Sequence, residues 1–258
     1  MVRLRPNPAF ERDSPRSGRA PQFYVGALKM MKKILMMLGI GLAANSPIDA
    51  SEFYKPYADS RVNFLYNLLF CDDIALFKNE NNVKGDGLWP TLLADKPDLK
   101  SLQKIADDET NEGRVRAVAF NRLRASGRKV PSKKVMGVIV EVPQAQGLDV
   151  LAAFAEGGVR YLNQSGKMVI FEGGGHPVEA LAKELVAVSQ PVVNQIGPWD
   201  KRRLAPPKPG NVRMTFLVSD GLYFGEGPFD TLQKDPMGGP VLAKAAQLLQ
   251  RAVENALK

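Results

Sequence analysis

The sequence predicts an α+β protein: an antiparallel β-meander of about six strands, in the order β-β-β-β-α-β-β-α, preceded by an α-helical region. Three observations lead to this class. Residues 135–172 contain four short apolar runs (VMGVIVEV, LDVLAAFA, VRYLN, KMVIFE) joined by Gly-bearing turns. Residues 60–78 and 99–127 instead repeat apolar side chains at helical spacing. Residues 240–257 carry the clearest amphipathic stripe of the chain, through Val241, Ala245, Leu248, Ala252 and Ala256.

The chain divides into a basic leader (1–50), a helical region (51–127) and a sheet domain (128–258). Its net charge of +8 is concentrated in the leader: residues 1–33 hold eight Lys or Arg and two acidic residues, against 27 and 25 in the remainder. The folded part is therefore near neutral, and no specific nucleic-acid partner is expected. One cysteine, Cys71, excludes an intrachain disulfide, and one histidine, His176, leaves a zinc site or a Ser-His-Asp triad without alternatives to that residue. No cofactor and no metal is expected.

Residues 1–29 are Arg-, Pro- and Ser-rich and are expected to be disordered. Residues 31–50 place Lys32 and Lys33 before an apolar run, the layout of a signal peptide if translation starts at Met30 or Met31. The competing reading is a docked segment of a cytoplasmic protein, which the unpaired Cys71 favours. Localisation is accordingly expected to be cytoplasmic, or periplasmic or secreted if residues 31–50 are cleaved. The run falls short of the ~20 residues of a membrane span. Gly39, Gly41 and Ala44 match G-x-G-x-x-A, but Pro47 follows at once and no βαβ unit surrounds them, so a dinucleotide site is discounted.

Within the helical region, residues 60–78 read as one helix, with Asp59 or Ser60 as its cap. It contains Cys71-Asp72-Asp73, read as a buried thiol and two carboxylates that face solvent or cap a break, because no adjacent base or cation activates the sulfur. Residues 79–87 read as a loop. Further on, Leu99, Leu102 and Ile105 would face the core from one helix, and Val115, Val118 and Leu123 from a second. With Arg116 and Gly127 at their positions, this stretch resembles one helix pair of a HEAT-type repeat. No second copy is present, so the resemblance implies a pair packed on the sheet domain, not a solenoid. Arg116 is a candidate for its partner-facing surface.

In the sheet domain, residues 135–142 read as an interior strand, and the more polar 159–163 as an edge. A helix over 178–189 starts at Pro177 and is ended or kinked by Pro191. Residues 197–210 form a Pro-rich connector, and a hairpin turns at Ser219-Asp220-Gly221. Helices are expected to cover one face. The element order resembles small sensor and adaptor domains of the profilin-like or Roadblock type, a likeness of fold that implies no activity.

Three places carry chemistry. Gly173, Gly174, Gly175 and His176 lead into a helix N-terminus, where free N–H groups and the helix dipole favour an anion. Residues 163–167 (NQSGK) suggest a phosphate loop, but Met168 stands where Ser or Thr would bind magnesium, so a hairpin turn is expected. Ser219 and Asp220 suggest a nucleophile and an acid, yet Asp-Gly is also a standard hairpin turn. Trp199, Asp220 and Tyr223 are a possible ligand or partner surface. The expected function is that of a non-catalytic, soluble, bacterial-type module acting on an unknown protein partner. The alternative is a small-molecule or anion-binding sensor using residues 173–177, and a hydrolase using His176, Asp220 or Cys71 ranks third.

Overall fold

Strand β1 (Val135–Gln144) occupies the middle of a six-stranded, wholly antiparallel sheet of order β4-β3-β2-β1-β5-β6. The other strands are β2 (Gly147–Phe154), β3 (Val159–Leu162), β4 (Met168–Phe171), β5 (Asn211–Val218) and β6 (Gly221–Pro228). The computed structural model describes residues 54–84 and 87–256, all within one compact unit, Ile40–Lys258. The leader, with its signal-peptide and G-x-G-x-x-A readings, lies outside the described residues.

Helices cover both faces of the sheet, not one. Successive residues of a strand point to opposite faces, and β1 is apolar on each. On the first face Ile139, Ala152, Phe154 and Leu217 share a core with Tyr66, Phe70, Leu102 and Phe120 of the helical region. On the second, Val138, Val140, Leu151 and Phe216 are buried, where α6 (Glu179–Gln195) lies across β1 and β2 with α8 (Gly238–Asn255) beside it. Helix α6 continues past Pro191 to Gln195.

The helical region is more broken than its periodicity predicts. Helix α1 (Ser60–Leu68) starts at Asp59, whose carboxylate accepts the Arg61 N–H at 2.8 Å, and stops before Cys71. Cys71 adopts φ +55°, which a helix cannot contain. A short 3₁₀ turn, Ile74–Phe77, restarts under Asp73, which accepts the Ala75 N–H at 2.8 Å. The stretch expected as a loop over 79–87 holds α2 (Glu80–Lys84). Next come α3 (Trp89–Leu93), then α4 (Leu99–Asp107) and α5 (Gly113–Ala125), which pack on each other. The one-turn α7 (Phe229–Leu232) follows β6. Among the described residues no helix is long and apolar enough to cross a membrane.

The expected edge strand, 159–163, is not an edge: β3 is paired on both sides and buried throughout. Its polar residues find partners inside the protein. Arg160 donates to Glu172 Oε1 at 2.7 Å and to the Phe171 carbonyl at 3.0 Å, and Asn163 Oδ1 accepts the N–H groups of Ser165 and Lys167 at 3.0 Å each. The edge is β4.

Candidate functional site

The glycine loop enters α6 as the sequence suggests, but a side chain of the same helix occupies part of it. Glu179 Oε2 accepts the Gly175 N–H at 2.6 Å, and Oε1 accepts from Lys183 Nζ at 2.5 Å. These two hydrogen bonds hold the Glu179 carboxyl below the usual carboxylate range. The His176 ring lies 5.3 Å from the Phe171 ring, and both its nitrogens are buried without a hydrogen-bond partner. Asp72 and Asp220 therefore do not form an acid–base pair with it.

The Ser219-Asp220-Gly221 turn fastens the linker after α5 to the β5–β6 hairpin. Ser219 Oγ donates to the Pro131 carbonyl at 2.6 Å and accepts the Lys134 N–H at 3.1 Å. Asp220 accepts the Lys133 N–H at 3.2 Å through Oδ1 and the Tyr223 hydroxyl at 3.0 Å through Oδ2. Tyr223 and Arg116, expected at a surface, are both buried. Arg116 donates from Nε to the Ala106 carbonyl at 3.0 Å and so ties α5 to α4. Trp199 remains half-exposed: its backbone N–H donates to the Leu222 carbonyl at 2.7 Å, its indole N–H to the Arg202 carbonyl at 2.9 Å, and its ring meets Phe224 edge-on at 5.0 Å. Cys71 is buried, and burial pushes its thiol up, away from the thiolate that nucleophilic chemistry needs.

A buried polar network on the first sheet face was not anticipated. Glu141 of β1, Arg213 of β5 and Glu226 of β6 stand side by side in register. Arg213 donates from Nε and Nη2 to Glu226 Oε2 at 2.8 and 2.6 Å, and its Nη1 lies 3.8 Å from Glu141 Oε2. Tyr66 donates its hydroxyl to Glu141 Oε1 at 2.7 Å. Glu141 is 0% exposed, and burial raises its carboxyl above the usual range, with the Tyr66 hydrogen bond opposing. One signal of this was legible: Glu141 is the single charge within the apolar run of β1.

Arg203, from the Pro-rich connector, extends the network. Its guanidinium carbon lies 3.8 Å from the Phe70 ring centre, 5.2 Å from Tyr54 and 5.5 Å from Tyr66. Nε donates to Asp72 Oδ2 and Nη2 to Asn67 Oδ1, both at 2.8 Å, while Nη1 is buried without a partner. Tyr54 donates its hydroxyl to the Arg203 carbonyl at 2.6 Å. A cavity of about 200 Å³ opens beside it, lined by Tyr54, Asn67, Asp72, Asp73, Leu76 and Arg202. Nothing local in the sequence marks Arg203, because every member of its cage is distant in the chain.

The two sheet edges differ. On β6, Trp199 bridges to Leu222, and Gly225, Gly227 and Pro228 weaken the strand beyond it. On β4 the residues are Met-Val-Ile-Phe, and Ile170 is 48% exposed. The Asn163 N–H donates to the Lys167 carbonyl at 2.9 Å, and the register pairs Tyr161 with Val169. Bonding alternates along such a ladder, so Val169 and Phe171 bond inward, while Met168 and Ile170 turn their N–H and C=O to the edge that no strand pairs among the described residues.

Among the described residues no group of three or more His, Cys, Asp or Glu side chains is arranged to hold a metal ion. The chain matches no protein-family model, no curated protein and no solved structure.

Proposed function

We propose that this protein is a non-catalytic interaction module that receives an extended segment of a partner protein along β4. One observation supports the reading: β4 is an apolar edge without a proline, a bulge or a charge inside it, and Ile170 on it is 48% exposed. Sheet edges that stay unpaired are ordinarily guarded by such devices. An added strand would bond the free backbone groups of Met168 and Ile170 and cover the Ile170 side chain, the mode of strand addition. Lys167, at one end of it, supplies a charge for choosing a register, while Glu172 at the other is paired with Arg160.

The test uses Ile170→Pro and Ile170→Lys. Proline at position 170 removes an N–H that faces outward, so the β3–β4 ladder stays intact. Peptides selected on the wild-type protein from a random display library are expected to bind both variants at least about tenfold more weakly, ~1.4 kcal/mol. Unfolding midpoints should stay close to wild type. Selected peptides that bind the variants and the wild type equally would remove the β4 reading.

A second reading, an anion sensor at Gly173, Gly174, Gly175 and His176, draws on the unpartnered nitrogens of His176. The Glu179 carboxylate competes with any anion there. Glu179→Gln is then expected to raise phosphate affinity several-fold, followed through the amide resonances of Gly174 and Gly175, and His176→Ala to lower it. Unmoved resonances in Glu179→Gln at high phosphate would end this reading.

A further inference from the structure

We infer that residues 197–210 form a latch, closed by Arg203 in a receptor for a guanidinium group, and that an arginine of a partner protein takes the same place when the latch lifts. The proposal is independent of the β4 reading. The connector bridges to β6, at the opposite edge of the sheet.

The receptor fits a guanidinium closely. Phe70 lies under the plane of the cation at 3.8 Å, Tyr54 and Tyr66 flank it, and Asp72 and Asn67 each take one N–H at 2.8 Å. A flat, weakly hydrated cation stacks on rings and donates sideways in its own plane, which an ammonium group does not. The Arg203 side chain is nine-tenths buried in this position. Its seat is nevertheless imperfect, since Nη1 has no partner. A buried donor left unbonded is costly, which offsets part of what the stacking and the two hydrogen bonds contribute, so Arg203 is held less tightly than a fully bonded guanidinium would be.

The connector is held by side chains more than by its backbone. Among the described residues no backbone–backbone hydrogen bond fastens residues 200–207 to the sheet or the helices. Its main chain is held instead by side chains: the Tyr54 hydroxyl on the Arg203 carbonyl at 2.6 Å, the Trp199 indole N–H on the Arg202 carbonyl at 2.9 Å and Arg213 Nη1 on the Leu204 carbonyl at 3.3 Å. Gly197 and Gly210 bound the segment, and four prolines between them keep it extended and free of a ladder. The cavity beside Arg203 is walled by Tyr54, Asn67 and Asp72, which also belong to the receptor. An incoming side chain therefore meets receptor residues before Arg203 has left. Asp73 on the same wall adds a second carboxylate, and Arg202, opposite in charge to it, also lines the cavity.

The test empties the receptor and refills it. Arg203→Ala is expected to lower the unfolding midpoint by several degrees. Ethylguanidinium at about 10 mM, a concentration suited to millimolar binding, should restore at least half of that loss, and ethylammonium should not. The blocked tripeptide acetyl-Gly-Arg-Gly-amide should bind Arg203→Ala in a saturable way and bind the wild type at least about tenfold more weakly, because Arg203 competes. Asp72→Asn in the Arg203→Ala background should weaken both ligands, and Ile170→Pro should change neither. If Arg203→Ala does not fold, Arg203→Gln keeps most of the volume and carries the same titrations. Equal rescue by ethylguanidinium and ethylammonium would overturn the guanidinium receptor. Rescue by ethylguanidinium with no tripeptide binding would overturn the partner arginine and leave only an internal tie.

Discussion

Gly113→Ala is expected to destabilise the protein by more than ~3 kcal/mol, a loss in the range reserved for backbone clash in a core. A Cβ at residue 113 would stand 2.3 Å from the Met136 carbonyl oxygen and 3.3 Å from Glu156 Oε2. Neither neighbour can retreat cheaply. The Met136 carbonyl accepts the Ala155 N–H at 2.9 Å, and Glu156 Oε2 accepts the Gly113 N–H at 2.7 Å. Gly113 is the first residue of α5, so this contact sets how closely the helical region approaches the sheet. It also positions Glu112, which accepts from Arg114 at 2.6 Å and from Arg160 at 3.2 Å over the Phe154 ring. Gly127→Ala is the control. Gly127 has φ +73° with open space around it, so alanine there meets only the left-handed backbone penalty of ~1–2 kcal/mol. Denaturant titration of both variants decides the matter: a loss at Gly113 no larger than at Gly127 would mean that the close approach is not what holds the two regions together.

The parts of this fold that local rules govern were legible in the sequence. The β-branched run of β1, the Asn163 and Asp220 turns and the stripe of α8 each follow from a few neighbouring residues. What was missed depends on neighbours distant in the chain. Strand β3 read as an edge because Arg160 and Asn163 are polar, yet Arg160 is itself buried and reaches Glu112 and the exposed Glu172. Periodicity could not see the break at Cys71, where a non-glycine residue takes a left-handed conformation. The same division holds for the candidate sites. Ile170 sits in an apolar run that reads equally well as interior, and only the strand order exposes it. Arg203 reads as one basic residue of a connector until Tyr54, Tyr66 and Phe70 close around it. Glu141 was visible as a charge in an apolar strand, but its partners Tyr66 and Arg213 come from the helical region and from β5.

The Glu141–Arg213 pair carries the second large effect, and that effect depends on pH. Arg213→Met should cost ~3–5 kcal/mol at pH 8, the usual consequence of stranding a buried charge. The methionine retains packing against Phe224, where the guanidinium carbon lies 5.7 Å from the ring, and loses the bonds to Glu226 and the Leu204 carbonyl at every pH, so only the part due to Glu141 varies with pH. The sign follows from Glu141. Burial already raises its carboxyl in the folded state, and removing the neighbouring cation raises it further. Below the unfolded-state glutamate value of about 4.3 both states hold the proton, and no charge is buried. As the pH rises above that value the unfolded chain releases the proton while the folded one keeps it, so folding stability falls with pH. The fall continues until the folded carboxyl ionises, and then levels off. The exposed carboxylates whose values are lowered, such as Asp59 and Asp98, act in the opposite direction but equally in wild type and variant, so they cancel in the difference. The loss measured by urea unfolding should therefore be clearly smaller at pH 4.5 than at pH 8. Adding Glu141→Gln to Arg213→Met should recover more than half of it and flatten the profile, since the amide still accepts from Tyr66 and carries no charge. Equal losses at the two pH values, unchanged by Glu141→Gln, would show that Arg213 acts through packing and its bonds to Glu226, and that Glu141 is neutral in the folded protein throughout.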